Sequence, residues 1–163
     1  MAFAARWIRL HLRDSNAMRG ACEGFARAQA PAAAPAVLWT GSEGERHAFA
    51  VVAPPRFLPG RRARWRAWAL SPLVAAYRQH GLSAYADADR ICLSGRPITS
   101  VEAATVGDCA VVVADFEPWG EDFAEVLRQR AEAQYGWQFD HSWPSRAERQ
   151  AIADVIPGEF AGA

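Results

Sequence analysis

The chain has 163 residues, 51% of them apolar and 22% charged, and a formal net charge of zero at pH 7. A neutral surface gives no general pull toward nucleic acid or anionic lipid, and no apolar run nears the ~20 residues of a membrane span. Neither nucleic acid nor a membrane is therefore an expected partner.

All eighteen basic residues are arginine; there is no lysine. Arginine stays protonated and holds carboxylate or phosphate in a fixed fork, but it does not become a neutral amine, so no side-chain amine exists for covalent or proton-transfer chemistry. Cys22, Cys92 and Cys109 are odd in number and widely spaced. With Arg6, Arg9 and Arg13 interrupting any leader-like run, the expected compartment is a reducing cytoplasm. A chain of this length buries roughly two-thirds of its surface, and one domain over residues 1–163 is the expected unit.

Taken in order, Arg6–Leu12 alternates as a strand. Asp14 or Ser15 caps a helix whose Met18, Cys22, Phe25 and Gln29 recur at helical spacing, with Gly20 and Gly24 allowing a close neighbour. Ala30–Pro35 is a short linker. Ala36–Thr40 and Arg46–Val52 form a hairpin about Gly41-Ser42-Glu43-Gly44. Pro54–Arg62 is irregular, and Arg64–Leu70 alternates as a further strand. Ser71-Pro72 reads as a helix start and Gly81 as its stop.

The stretch Arg90–Val113 reads as three successive strands in a meander. Turns at Ser94-Gly95 and Gly107-Asp108 separate them, and the last, Cys109–Ala114, is apolar throughout and buried. Asp122–Tyr135 is a helix stopped by Gly136, and Trp137–Ser142 is a strand. Ser145 and Glu148 make a capping box for a last helix that ends at Pro157-Gly158. The predicted class is α+β: a central, mainly antiparallel, mixed sheet covered by helices.

The run Asp89-Arg90-Ile91-Cys92-Leu93-Ser94-Gly95-Arg96-Pro97-Ile98-Thr99-Ser100, followed by Gly107-Asp108-Cys109-Ala110-Val111-Val112-Val113, resembles the central hairpin of lipoate- and biotin-protein ligases. Ile8 to Pro31, Val37-Leu38-Trp39 and Pro72…Tyr77…His80-Gly81-Leu82 resemble other segments of that family in the same order. The resemblance implies that family's fold and a ligand built on lipoate, octanoate or biotin. It also implies a lysine just after Gly95-Arg96 and a glycine triplet after paired arginines. Here Pro97 or Ile98 stands at the first position, and Arg61-Arg62 is followed by no triplet. Pro118-Trp119-Gly120 lacks the thiol of octanoyltransferases.

Two functions follow. One is a degenerate, non-catalytic ligase-like domain that binds a small carboxylate or acyl ligand, or a protein partner, a homodimer included. The other is an active acyl-transfer or ligase-type enzyme working without the lysine. No catalytic residue, cofactor or metal is called for. The ligand-binding residues expected from the resemblance are Arg66 and Trp68 on the Arg64–Leu70 strand, with Arg96, Thr99 and Ser100 on the next wall. Arginine there would fork a carboxylate and tryptophan would cover an apolar tail. Asp87-Ala88-Asp89 reads as a solvated turn, and Cys92 and Cys109 as buried strand thiols.

Overall fold

The computed structural model describes residues 2–41, 46–87 and 89–157. Residues 42–45 of the expected hairpin turn, Ala88 and Gly158 lie outside them. The elements are β1 (Phe3–Arg9), α1 (Met18–Arg27), β2 (Ala36–Thr40), β3 (His47–Ala53), α2 (Trp65–Gln79), β4 (Ala84–Asp87), β5 (Arg90–Leu93), β6 (Arg96–Pro97), β7 (Ser100–Val106), β8 (Cys109–Phe116), α3 (Phe123–Tyr135), β9 (Trp137–Ser142) and α4 (Arg146–Val155). Among the described residues, no helix is long and apolar enough to cross a membrane.

A six-stranded sheet in the order β7-β8-β3-β2-β1-β9 forms the centre, and β4-β5-β6 form a smaller sheet beside it. The pairs β1–β2 and β1–β9 are parallel; β2–β3, β3–β8 and β7–β8 are antiparallel. The class is α+β with a mixed sheet, as the sequence predicts. Both faces of the large sheet are covered, which is why its inner strands read as apolar runs rather than alternations. Trp7, Val51 and Val112 face α2 and α3, whereas Ile8, Leu38 and Val111 face α1 and α4. Strand β8 lies inside the sheet, with Val112 only 1% exposed.

Helix α1 meets α4 at backbone distance. A Cβ on Gly24 would stand 2.5 Å from the carbonyl oxygen of Ala151, so only glycine fits that crossing. The joint is locked by Glu148, 5% exposed, which accepts from Arg6 at 2.7 and 2.9 Å and from Gln29 at 2.6 Å. The same carboxylate closes the predicted capping box, accepting from Ser145 N at 2.8 Å. Burial pushes this carboxyl up in pKa, but the hydrogen bonds from Arg6, Gln29 and Ser145 outweigh it and hold the group below its usual range.

The structure corrects three expectations. The first strand is Phe3–Arg9, three residues earlier than read, though its backbone bonding runs on through Leu10 N to Trp39 O at 2.8 Å. Arg64–Leu70 is not a strand: Trp65 begins α2, and Ser71-Pro72 lies inside that helix rather than at its start. A proline there removes the donor owed to the carbonyl four residues back, at Trp68. Ser71 Oγ supplies it instead, donating to Trp68 O at 2.7 Å. The cap-and-proline signature is thus an interior repair.

The third correction is the meander. Of the three strands read there, only the last two, β7 and β8, pair with each other, and β5 belongs to the small sheet with β4 and β6. The chain crosses between sheets at Pro97-Ile98-Thr99. There Ile98 N donates to Ile91 O at 2.9 Å, and Thr99 Oγ1 accepts from Ile91 N at 2.9 Å. A side-chain hydroxyl replaces a ladder bond, and the ladder ends.

Candidate functional site

The β5–β6 turn, Ser94 and Gly95, has positive φ at both residues (53° and 75°), the geometry of a tight two-residue hairpin. It presents Arg96 on one arm and Arg90 at the root of the other. Beneath them lies an open concavity of about 570 Å³, lined also by Thr99, Ser100, Arg46, Asp115 and Glu117.

Its far wall is tied together. Asp115 accepts from Ser100 Oγ at 2.6 Å, from Ser100 N at 3.2 Å and from Arg46 Nη2 at 2.5 Å. Burial raises the Asp115 pKa, and these bonds together with the Arg46 charge more than reverse that, leaving the carboxyl below its usual range. Arg46 also donates to Ile98 O at 3.1 Å and to Glu117 Oε1 at 3.3 Å. Tyr77 Oη anchors the end of the wall, donating to Glu117 O at 2.5 Å.

The near wall differs. Arg90 is exposed, and its side chain has only a loose ion pair with Asp87, at 3.8 Å, among the described residues. Arg96 is exposed and has no hydrogen bond or ion pair among the described residues. Two guanidinium groups therefore border the concavity with most of their donors free.

Of the residues singled out from sequence, Arg96, Thr99 and Ser100 meet here. Thr99 and Ser100 hold structure: one accepts from Ile91 N, the other donates to Asp115. Arg66 and Trp68 do not join them. On a helix, residues two apart point about 200° from one another, so the shared face assumed for a strand does not exist. Trp68 stacks 4.3 Å from the Tyr135 ring and meets Trp137 edge-on at 5.7 Å. Among the described residues Arg66 has one loose ion pair, with Asp89 at 3.9 Å, and it lines a separate hollow of about 450 Å³.

Reading by resemblance also passed over Arg46, Arg90, Asp115 and Glu117. One signal was available. Counting back from the Gly107-Asp108 turn places Ser100 opposite Asp115, which is the observed register.

The interval matched to the family's glycine-rich loop folds as 3₁₀ turns at Pro55–Phe57 and Arg62–Arg64, then opens α2. Trp65, Ala69 and Leu70 are buried in the core, and Trp65 Nε1 donates to Pro59 O at 2.8 Å.

No protein-family model matches the sequence, and no curated protein is similar to it in sequence; the likeness is one of fold. The bi-partite lipoate-protein ligase of Thermoplasma acidophilum, studied with its E2 lipoyl domain, superposes with a TM-score of 0.80 at 9% identity, covering 96% of this chain and 93% of the other. Lipoate-protein ligase A bound with ATP superposes at 0.74 and 9% identity over 100% and 97%. This is the lipoate- and biotin-protein ligase fold. A biotin acetyl coenzyme A carboxylase synthetase from Helicobacter pylori, with bound biotinylated ATP, shares it at a TM-score of 0.52 and 12% identity over 81% and 75%. At such identities, what the ligase fold carries here depends on this chain's own side chains.

Proposed function

We propose that this chain is a non-catalytic module on the ligase fold, binding a small carboxylate or acyl ligand over the β5–β6 hairpin. The observation that carries this reading is the pair of unspent guanidinium groups, Arg90 and Arg96, at the mouth of the concavity. A carboxylate takes such donors bidentately. The absence of a catalytic function is inferred from chemistry that the chain lacks. It holds no lysine whose compact ammonium would stabilise charge developing on a carbonyl and phosphate. Where the family's phosphate loop would lie, Trp65 and Leu70 fill core space. Three buried thiols, Cys22, Cys92 and Cys109, suit the reducing cytoplasm proposed for it.

The test is thermal stability with lipoate, octanoate and biotin, beside pyrophosphate release with ATP. Binding should raise Tm in proportion to ligand excess over Kd. Arg96→Ala and Arg90→Ala should abolish the rise, while Arg78→Ala, on a different surface, should preserve it. No acid-dependent pyrophosphate should appear. Failure of all three acids to shift Tm would remove the ligand reading. Lipoate- or biotin-dependent pyrophosphate release would make the chain an enzyme.

A further inference from the structure

A net charge of zero hides an uneven distribution. Seven of the eighteen arginines lie between Arg46 and Ala86, and none of the eighteen acids does. Five of the seven, Arg56, Arg61, Arg62, Arg64 and Arg66, fall in the loop that joins β3 to α2 and in the first turn of that helix. Among the described residues only Arg66 of these five has an acidic partner, Asp89 at 3.9 Å. Arg61 and Arg64 are exposed and have no hydrogen bond or ion pair among those residues. Arg56 donates to Pro31 O at 2.9 Å and lies over the Phe57 ring at 4.6 Å, and Arg62 lies over the Trp65 ring at 5.6 Å. A stacked guanidinium keeps its charge and its edge donors. Asp108 stands at the same end of the sheet, because Ala53 pairs with Ala110, yet it forms no ion pair with any of the five.

Apolar surface lies beside these arginines. Four large apolar side chains are exposed among the described residues, Phe3, Tyr85, Trp119 and Trp143, and of them Phe3 alone touches another aromatic ring. It is 61% exposed and meets Phe57 edge-on at 5.7 Å, and Phe57 meets Trp137 at 6.5 Å. The register brings them together. Strand β1 starts at the end of the sheet where β3 stops, with Arg6 beside Ala36 and Ala36 beside Val52. The loop itself is stiff: Pro54, Pro55 and Pro59 fix their φ, Leu58 is buried, and Trp65 Nε1 donates to Pro59 O at 2.8 Å. Such a surface binds with little ordering cost. Exposed aromatic area flanked by arginine is the composition of a protein–protein contact.

We infer that this end of the sheet docks a separate protein, one that sets an apolar side chain on Phe3 and Phe57 and offers carboxylates to Arg56, Arg61, Arg62 and Arg64. A guanidinium receives a carboxylate in a fork, and no acid of this chain occupies those forks. A protein fits better than a nucleic acid. The patch is compact, and the molecule has no net positive charge with which to draw in a long polyanion from a distance. This docking is independent of the ligand at Arg96. The concavity there is lined by Ser100 and Asp115, which pair at the far end of β7 and β8 from Ala110.

Panning the full chain against a display library of random dodecapeptides tests this without assuming a partner sequence. Selected peptides should carry Asp or Glu on both sides of Leu, Phe or Trp, and their binding should weaken as salt is added. Arg61→Glu combined with Arg64→Glu should weaken it about tenfold or more, and Phe3→Ser about tenfold. Tm should stay nearly unchanged in both variants, because all three side chains are exposed. Arg96→Ala should leave peptide binding as it is. If Phe3→Ser does not fold, the arginine pair decides. Selected peptides that lack acids or lack an apolar residue overturn the inference, as does binding indifferent to the arginine pair, or the absence of any enriched peptide. A single-stranded oligonucleotide that binds as tightly as the peptides, and is lost with the arginine pair, overturns it in favour of a polyanion surface.

Discussion

Replacing Glu148 by alanine loads the joint between β1, α1 and α4 at one point. The carboxylate accepts two hydrogen bonds from Arg6 and one each from Gln29 and Ser145 N. Hydrogen bonds to charged groups are worth about 1.5–3 kcal/mol each when measured singly, and loss of a helix cap costs about 1 kcal/mol. These values do not add, for two physical reasons. Arg6 is 26% exposed at its side chain, so water reaches it once the acid is gone. It also keeps Ser142 Oγ and Trp143 O as acceptors, at 3.0 and 2.9 Å. A net loss of about 3 kcal/mol results, which for a domain of this size lowers Tm by roughly 6–12 °C.

Urea unfolding at neutral pH measures the loss, and a cycle with Arg6→Ala measures the coupling. The two single losses should exceed the double-mutant loss by more than 1 kcal/mol. Replacing both partners together, as Arg6→Met with Glu148→Leu, should cost less than either alanine, because no charge is stranded. The reasoning fails if Glu148→Ala costs under about 1 kcal/mol or if the two alanines are additive.

Three further outcomes are expected. Val112→Asp puts an unpaired carboxylate in the middle of β8 and should abolish cooperative melting; a soluble variant with a sharp transition would contradict the burial argument. Ser71→Ala strands the carbonyl of Trp68 that Pro72 leaves without a donor and should cost about 1 kcal/mol by urea unfolding, while Ser71→Thr should restore it. His80 places both ring nitrogens against acceptors, Ala76 O at 2.9 Å and Asp122 Oδ1 at 3.1 Å, and the backbone contact first, then the acid, raises its pKa above 6.5. Its contribution is therefore complete below pH 6.5 and is lost as pH rises through the folded pKa. His80→Gln should flatten the fall in Tm over that window, and an unchanged profile would dismiss the imidazolium.

The sequence disclosed most of the elements but not the way two of them are used. Strong local signals placed α3, stopped by Gly136 in a left-handed turn, and α4, opened by Ser145 and Glu148. Arg64–Leu70 misled because tryptophan and arginine alternate there by accident. The true period is helical, with Trp65, Ala69, Leu70 and Leu73 inward, and the irregular Pro54–Arg62 stretch hid its beginning. The meander misled because adjacency in sequence does not say when a chain changes sheet, a choice made by Thr99 through its hydroxyl. At the candidate site, Arg96 and Ser100 were expected from the resemblance of the hairpin, and both line the concavity. Arg46 arrives from just before β3, some fifty positions away, a juxtaposition that only tertiary structure displays.

The parallel placement of β9 beside β1 has a kinetic consequence. Strand β1 is paired on both sides, yet its second neighbour comes more than 120 positions later, and α2 and α3, whose residues cover the face of Ala5 and Trp7, both follow β3. During synthesis, β1 to β3 emerge with β1 as an open edge and one face bare, a state that recruits chaperones or aggregates. Folding must await the last forty residues, so the rate should be set by that long loop closure rather than by any local helix.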